Sequence, residues 1–517
     1  MFEMPLDPAG VPRGRAMIER AEWAARAFAS YDSATVQRIV DAAAQAGAAR
    51  AKEFAEWAVR ETGYGVAEHK LLKNIACSTG IAAKYRASDY IDVVIDSADK
   101  MVEVPRPAGV VLALTPSTNP VATVMFKIML ALLTRNAIVI SPHPYAKAVC
   151  AEAARTMAAA AVAAGAPDGC IQVVEEPSIP LISALMTDPR TDVILATGGT
   201  PMVRAAYRSG NPAIGVGPGN VPVLVDATAD INAAAKRIVD SKSFDNSILC
   251  TNESVLIVEE AAAAGLLNAM TRSGAHVLSD DERDRVRDLV FPDGHFDTKW
   301  VGKDATAIAA AANVRVNPKT KILVAPFDLV VPEEPLAHEK LCPVLGLVRV
   351  PNVGRGIDAA QAVLRITGQG HSAAIHSSNA QTIMAFSAAV RVLRVSVNVG
   401  NSLGSSGIET NLAPTMTIGT GFLGRSSVGE NLEPKHLINW TRIAYNADAS
   451  VPMADFAGLT PWEVPGGAVP TYPRASNEAN AAPLVPSTVA MSNDAPDELR
   501  DEIRRLIIEE LNAIVRG

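Results

Sequence analysis

Along residues 14–88 apolar side chains recur every three or four positions. Met17, Ala21, Ala24, Ala25 and Phe28 form one stripe and Val36, Ile39, Val40 and Ala43 another, so this region is expected to be helical, with Ser33 standing where an N-cap would. Residues 91–95 then alternate, 97–100 turn and 101–104 return, which predicts a pair of strands. From Pro107 the period switches repeatedly. Apolar runs at 109–114, 136–140, 170–174 and 192–196 read as buried strands, and 120–133, 146–164, 179–187 and 201–208 as the helices between them. A second series follows, with strands at 254–258, 277–278, 321–325, 344–350, 373–376 and 394–398. Its helices fall at 231–239, 260–274, 280–290, 305–311, 354–365 and 380–389. Alternation of this kind predicts an α/β fold with two doubly wound parallel sheets. Ligands of such sheets lie at the carboxyl ends of the strands.

One stretch interrupts the alternation with chemistry. Cys250 falls at the joint between the helix at 231–239 and the strand at 254–258, where a side chain can face a cleft and act as a nucleophile; the alternative is a small buried cysteine. Two strand ends carry polar, small-residue turns, 115–120 and Thr197-Gly198-Gly199-Thr200. Glycines at a helix N-terminus let a phosphate or ribose approach backbone N–H groups, although the second turn lacks the G-x-G-x-x-G spacing and reads equally as a plain tight turn. Asn119 offers an amide to a developing oxyanion, or else shapes the turn before Pro120.

Composition narrows the classes. Across 517 residues, 49% hydrophobic content supports large cores and two to four domains, and a net charge of -8 leaves no basic surplus for a nucleic acid. The five cysteines, Cys77, Cys150, Cys170, Cys250 and Cys342, form no C-x-x-C pair, which argues against a disulfide framework or a structural zinc site and for a reducing compartment. The start at Met1 lacks the basic flank and apolar core of a secretory leader. The most apolar stretch, 109–134, is broken by Pro116, Asn119, Pro120 and Lys127, so it predicts strand, turn and buried helix rather than a membrane span.

Eight stretches, in order, resemble the aldehyde dehydrogenase superfamily, and within it the coenzyme A-acylating branch that includes enzymes of bacterial microcompartments. They are Thr118-Asn119-Pro120 with Phe126-Lys127, Ser141-Pro142-His143-Pro144, 196–199, Gly215-Val216-Gly217-Pro218-Gly219-Asn220, Ser243-Phe244-Asp245-Asn246 leading to Cys250, Glu339-Lys340-Leu341-Cys342-Pro343, Gly370-His371-Ser372 and 434–438. The resemblance covers roughly residues 14–445. It implies Cys250 as nucleophile, with Asn119 and the Cys250 N–H as oxyanion hole. It implies Glu339 on the nicotinamide ribose of NAD, and Thr115, Ser141, His143, Pro144, Thr197, Gly198, Gly199, Gly217 and Gly219 around the rest of the cofactor. The domains it implies are 1–245 for NAD, with oligomerisation strands at about 91–104, 246–416 for catalysis, and 417–445 for oligomerisation into a dimer or tetramer.

One departure bears on the chemistry. Hydrolytic enzymes resembling this one carry a general-base glutamate in a Glu-Leu-Gly-Gly stretch, and here the corresponding loop, Val216-Gly217-Pro218-Gly219, holds no carboxylate. A positioned base contributes about 10²- to 10⁴-fold, so a thioester on Cys250 would await coenzyme A unless a glutamate from elsewhere replaced the base. The expected activity is NAD-dependent oxidation of a short aldehyde to acyl-CoA. The rivals are a hydrolytic dehydrogenase, an acyl phosphate reductase and a non-catalytic shell scaffold. His371, on a loop, reads as a structural histidine or a proton-transfer group. Beyond 445, residues 446–496 are rich in proline and form a linker. In 497–517, Leu499, Ile503, Leu506, Ile507, Leu511 and Ile514 form an apolar stripe, with Asp494 as a plausible N-cap. That tail resembles a peptide targeting cargo to a microcompartment shell, or it docks on its own oligomer. The expected location is cytoplasmic, inside such a compartment.

Overall fold

The computed structural model describes residues 10–462, and the candidate tail helix at 497–517 lies outside the described residues. β1 (Val94–Asp96) and β2 (Met101–Pro107) form an antiparallel hairpin. β3 (Val110–Thr115), β4 (Ala137–Pro142), β5 (Ile171–Val173), β6 (Val193–Ala196) and β7 (Ala213–Gly215) make a parallel sheet in the order β5-β4-β3-β6-β7. A second parallel sheet comprises β8 (Val221–Val225), β9 (Glu253–Glu259), β10 (Ala275–Val277), β11 (Ile322–Pro326), β12 (Val344–Val350), β13 (Ala373–His376) and β14 (Val395–Val397). Its order is β10-β11-β12-β9-β8-β13-β14. β15 (Ile438–Ala444) returns to pair antiparallel with β2, closing a three-stranded sheet.

The sequence pattern explains the burial. β3 and β4 are apolar runs buried at every position because helices cover both faces. The helix Pro120–Leu133 is buried throughout, started by a proline whose missing N–H costs nothing at a helix's first turn. Lys127 sits in the middle of it, fully buried, and its Nζ donates to Leu114 O and Leu195 O at 2.8 Å each. These carbonyls lie at the ends of β3 and β6, so one side chain ties together the two strand ends that open the crevice. The apolar stretch at 109–134 is thus strand, turn and buried helix, and among the described residues no helix is long and apolar enough to cross a membrane.

Three expectations shift. Asp32, not Ser33, caps the helix Ser33–Ala49, its carboxylate accepting from Thr35 N at 2.8 Å; an anion is favoured at the positive end of the helix dipole. Ile91 ends the short helix Ser88–Ile91, so the strand expected at 91–95 begins only at Val94. The boundary between the two large domains, expected at 245, falls earlier in the sheets: β8 at Val221–Val225 pairs with β9 and β13. β7 and β8 are short and separated by a glycine-rich loop, which hides both from a periodicity argument.

Gly109 enters β3 at φ +126°, and a Cβ there would lie 2.1 Å from Asp192 Oδ2, whose carboxylate accepts the Val110 N–H at 2.7 Å. Gly109→Ala combines a forbidden backbone angle with the loss of that bond. It should destabilise the protein by at least ~2 kcal/mol, read as a lowered midpoint in urea unfolding.

Candidate active site

A cavity of about 420 Å³ opens where the carboxyl ends of β3, β4 and β6 face the second sheet. Its walls come from both sides. The first sheet supplies Thr115 at the end of β3 and Asn119 after it, Ser141, His143 and Pro144 around the end of β4, and Thr197, Gly198 and Gly199 after β6. Val216 and Gly217 bridge the sheets, and Cys250 and Glu339 close the other side. Eleven of the twelve candidate residues therefore meet in one cavity. Gly219 does not line it. A Cβ on Gly219 would lie 2.1 Å from Cys250 O, and its N–H donates to the Glu339 carboxylate, so this glycine lets the loop press against the backbone of the thiol.

The thiol is presented by an unusual piece of chain. The helix Ile231–Ser243 ends, and Asp245, Asn246 and Ser247 follow with φ of 51°, 52° and 64°. Three consecutive L-residues in the left-handed region cost about 1–2 kcal/mol each. The surroundings fix them there. Asp245 N donates to His69 Nδ1 at 2.9 Å, and His69 stacks on Phe244 with centroids 4.5 Å apart. Asn246 Nδ2 donates to Gly302 O at 2.9 Å. The Asp245 carboxylate is fully buried and accepts from Val66 N at 2.6 Å, from Lys70 Nζ at 3.2 Å and from Lys73 Nζ. After the turn, Asn252 Oδ1 accepts Leu249 N at 2.9 Å and Asn401 Nδ2 donates to Thr251 O at 2.8 Å, which fixes the chain on both sides of Cys250.

Asn119 occupies the position before the helix Pro120–Leu133, whose first-turn Thr123 donates its N–H and hydroxyl to Asn119 O. Its side-chain oxygen accepts from Lys73 Nζ, and its Nδ2 reaches Thr118 Oγ1 at 3.3 Å, leaving one amide hydrogen for the cavity.

Electrostatics oppose a free thiolate. Burial, and then the Glu339 carboxylate, push the Cys250 thiol up to about 12, with Arg394 acting the other way. Burial pushes Glu339 up to about 8 against the opposing pull of Lys242 and of the Gly219 N–H. His371 is fully buried. Its Nδ1 lies 3.0 Å from Ser372 Oγ while Nε2 has no partner, and burial beside Arg394 pushes it down to about 3, so it is not the fully satisfied histidine of the structural reading. Cys342 is buried as a packing residue. The residues that sequence reasoning missed are Lys70, Lys73 and His69. Their signal was present as lysines spaced i, i+3 with the histidine beside them on one helix, in a region read only for its apolar stripe.

The dinucleotide the resemblance implies fits these walls. A Cβ at Gly198 would meet only the Met202 side chain, at 4.0 Å, and Gly199 starts the nine-residue helix Thr200–Arg208 without a side-chain cap, leaving backbone N–H groups for a diphosphate.

The aldehyde dehydrogenase family profile matches residues 9–411. The aldehyde-alcohol dehydrogenase of Clostridium acetobutylicum is 38% identical over 427 residues, 81% of this chain and 49% of that protein. The chain thus spans about half the length of that relative. Among solved structures, an acetylating aldehyde dehydrogenase from Geobacillus thermoglucosidasius aligns with a TM-score of 0.84 at 35% identity, covering 86% of this chain and 99% of that one. Two propionaldehyde dehydrogenases align with a TM-score of 0.77. One, from the fucose utilisation bacterial microcompartment of Clostridium phytofermentans, is 27% identical and covers 84% and 97% of the two chains. The other, from Rhodopseudomonas palustris with bound CoA and an acylated cysteine, is 29% identical with the same coverage.

Glu339→Gln removes the charge that raises the thiol. Above pH 8, where Glu339 is ionised, the neutral variant should hold more Cys250 as thiolate, because a nearby negative charge disfavours the anion. At pH 9 its alkylation by iodoacetamide should be several-fold faster than that of the native protein, and at pH 6.5 the two rates should converge.

Proposed function

The chain belongs to the aldehyde dehydrogenase family, and on that footing we propose that it oxidises a short aldehyde with NAD and passes the acyl group to coenzyme A. The Cys250 thiol gives its proton to solvent, its Sγ then adds as thiolate to the aldehyde carbon, and the Asn119 amide with the Cys250 N–H meets the oxyanion that forms. The Thr197–Thr200 turn, the Ser141–Pro144 segment and Glu339 would hold NAD, which would supply the hydride acceptor. The oxyanion collapses to a thioester on Cys250 as hydride leaves. The coenzyme A thiolate then attacks the thioester carbon, Cys250 leaves as thiolate, and acyl-CoA departs.

The observation that carries this reading is the lining of the cavity: among the described residues around Cys250 and Asn119, Val216 occupies the loop position of the missing base and Glu339 is the sole carboxylate. The relative with CoA and an acylated cysteine supports the same cycle. Glu339 also favours one rival. A carboxyl raised to about 8 beside the thiol is the group that could activate water, which would give free acid instead.

Incubation of aldehyde and NAD+ with and without coenzyme A separates the two. Acyl-CoA and NADH should form in equal amounts with coenzyme A, and only one NADH per site without it. Free acid at the thioester's rate would establish the hydrolytic reading. Cys250→Ala should abolish turnover while NAD+ binding, followed by fluorescence quenching, stays within about threefold, because other segments hold the cofactor.

The proposal extends to assembly and location. β15 is largely exposed and forms one edge of the three-stranded sheet, a surface suited to pairing with a second copy in a dimer or tetramer. The Leu499 to Ile514 stripe on its proline-rich tether suits binding to a shell protein, and the microcompartment relative supports this. Removing residues 463–517 should leave specific activity within about twofold of the intact chain, since every residue assigned to the reaction lies between positions 115 and 339. It should abolish co-sedimentation with co-expressed shells. Inactive monomers would instead place the tail in the oligomer.

A further inference from the structure

We infer that Lys73 is a positioning residue that aims the Asn119 amide at the reacting carbonyl, and that Asp245 makes this lysine serve the nucleophile's turn at the same time. The inference rests on Asn119 being the oxyanion donor. Three observations carry it.

The first is orientation. An asparagine amide can turn over, exchanging its oxygen for its NH₂, and nothing in its own covalent structure chooses. An ammonium has donors only. Lys73 Nζ donates to Asn119 Oδ1, so the oxygen must face the lysine and Nδ2 must face away from it, with one hydrogen spent on Thr118 Oγ1. Were the amide reversed, Nδ2 would point at the ammonium and Oδ1 would meet a developing oxyanion with repulsion instead of a hydrogen bond.

The second is that the lysine cannot wander. Lys73 is 1% exposed, on the helix Ala67–Ile75, and its other bond is to the fully buried Asp245 carboxylate. Lys70, one turn earlier, reaches the same carboxylate and also Thr118 O at 3.1 Å, the carbonyl just before Asn119. Both lysines thus touch both the turn that presents the thiol and the turn that presents the amide. Gly65 lets the chain close over this group, since a Cβ there would lie 2.1 Å from Asp245 Oδ1.

The third is charge. Two lysines share one carboxylate: burial pushes Lys70 down to about 8 against the pull of Asp245, Cys77 is buried nearby as a thiol raised to about 12, and burial lowers His69. Below about pH 8, where Lys70 also carries its proton, the excess positive charge lies behind Asn119 and polarises the amide toward donation. The same excess makes the test possible: Lys73→Met leaves Asp245 with Lys70 and the Val66 N–H, a balanced pair rather than an orphaned buried ion.

The experiment is a double-mutant cycle on kcat/KM for aldehyde, using Lys73→Met, Asn119→Ala and the pair, with Cys250 alkylation followed in parallel. Asn119→Ala should cost about 10²- to 10³-fold. Lys73→Met should cost about 10- to 100-fold in the native background, mainly in kcat, yet less than about threefold on top of Asn119→Ala. Alkylation of Cys250 should stay within about threefold in Lys73→Met, since Lys70 still anchors the turn. Losses that add independently, or alkylation that falls in step with turnover, would overturn the positioning role and leave a structural one. If Asn119→Ala alone costs nothing, the oxyanion reading fails as well. Should Lys73→Met not fold, the cycle is run with Lys73→Leu, which removes the donor as well as the charge; zero coupling there overturns the inference equally.

Discussion

A single buried carboxylate, that of Asp245, holds the Cys250 side of the cavity in shape. Three consecutive residues before the thiol occupy a left-handed conformation that isolated chain would abandon, at about 1–2 kcal/mol per residue. The carboxylate collects a backbone N–H and two lysine ammonium groups, and charge-assisted bonds of that kind contribute about 1.5–3 kcal/mol each. The strain and the bonds are of one order. The turn is therefore stable only because a helix some 170 positions away in sequence brings the lysines to it. Without them, the carboxylate would be an uncompensated buried ion and the turn would have no reason to persist.

That dependence couples the two sides of the crevice. The helix Ala67–Ile75 touches the loop after β3 through Lys70 and Lys73, and the loop before β9 through the same two groups. On the other side Gly219 presses on Cys250 O and donates to Glu339, so the loop after β7 is fixed to the thiol as well. Cys250 and Asn119 are consequently set by packed secondary structure rather than by free loops, the precision that the proposed reaction requires.

Much of the architecture was legible because its physical cause is local. Strands buried on both faces appear as unbroken apolar runs, and β3, β4 and β9 stood out for that reason, as did the amphipathic helices covering them. β7 and β8 escaped because each is short and the glycine-rich loop between them carries no period. Ser33 was mistaken for a cap because two neighbouring residues could both cap a helix, and only the backbone angles of Asp32 decide between them. For His371, the sequence shows a loop; that Nε2 is buried and unpartnered follows only from what packs around it.

The sequence by itself determined the alternation of strands and helices, the thiol at a helix-to-strand joint, the amide before a buried helix and the absence of a carboxylate at Val216. These are properties of residue type and spacing, which the chain carries before it folds. The tertiary structure alone decided that Cys250, Asn119 and Glu339 share one cavity, since they come from the approach of two sheets. It alone decided that β8 crosses into the second sheet, because strand partners are chosen by long-range packing. It also decided that Lys70 and Lys73, which on the sequence are ordinary cations on a helix, are buried against Asp245. A charge reveals its purpose only where it has lost its water, and no pattern along a chain shows which lysines those will be.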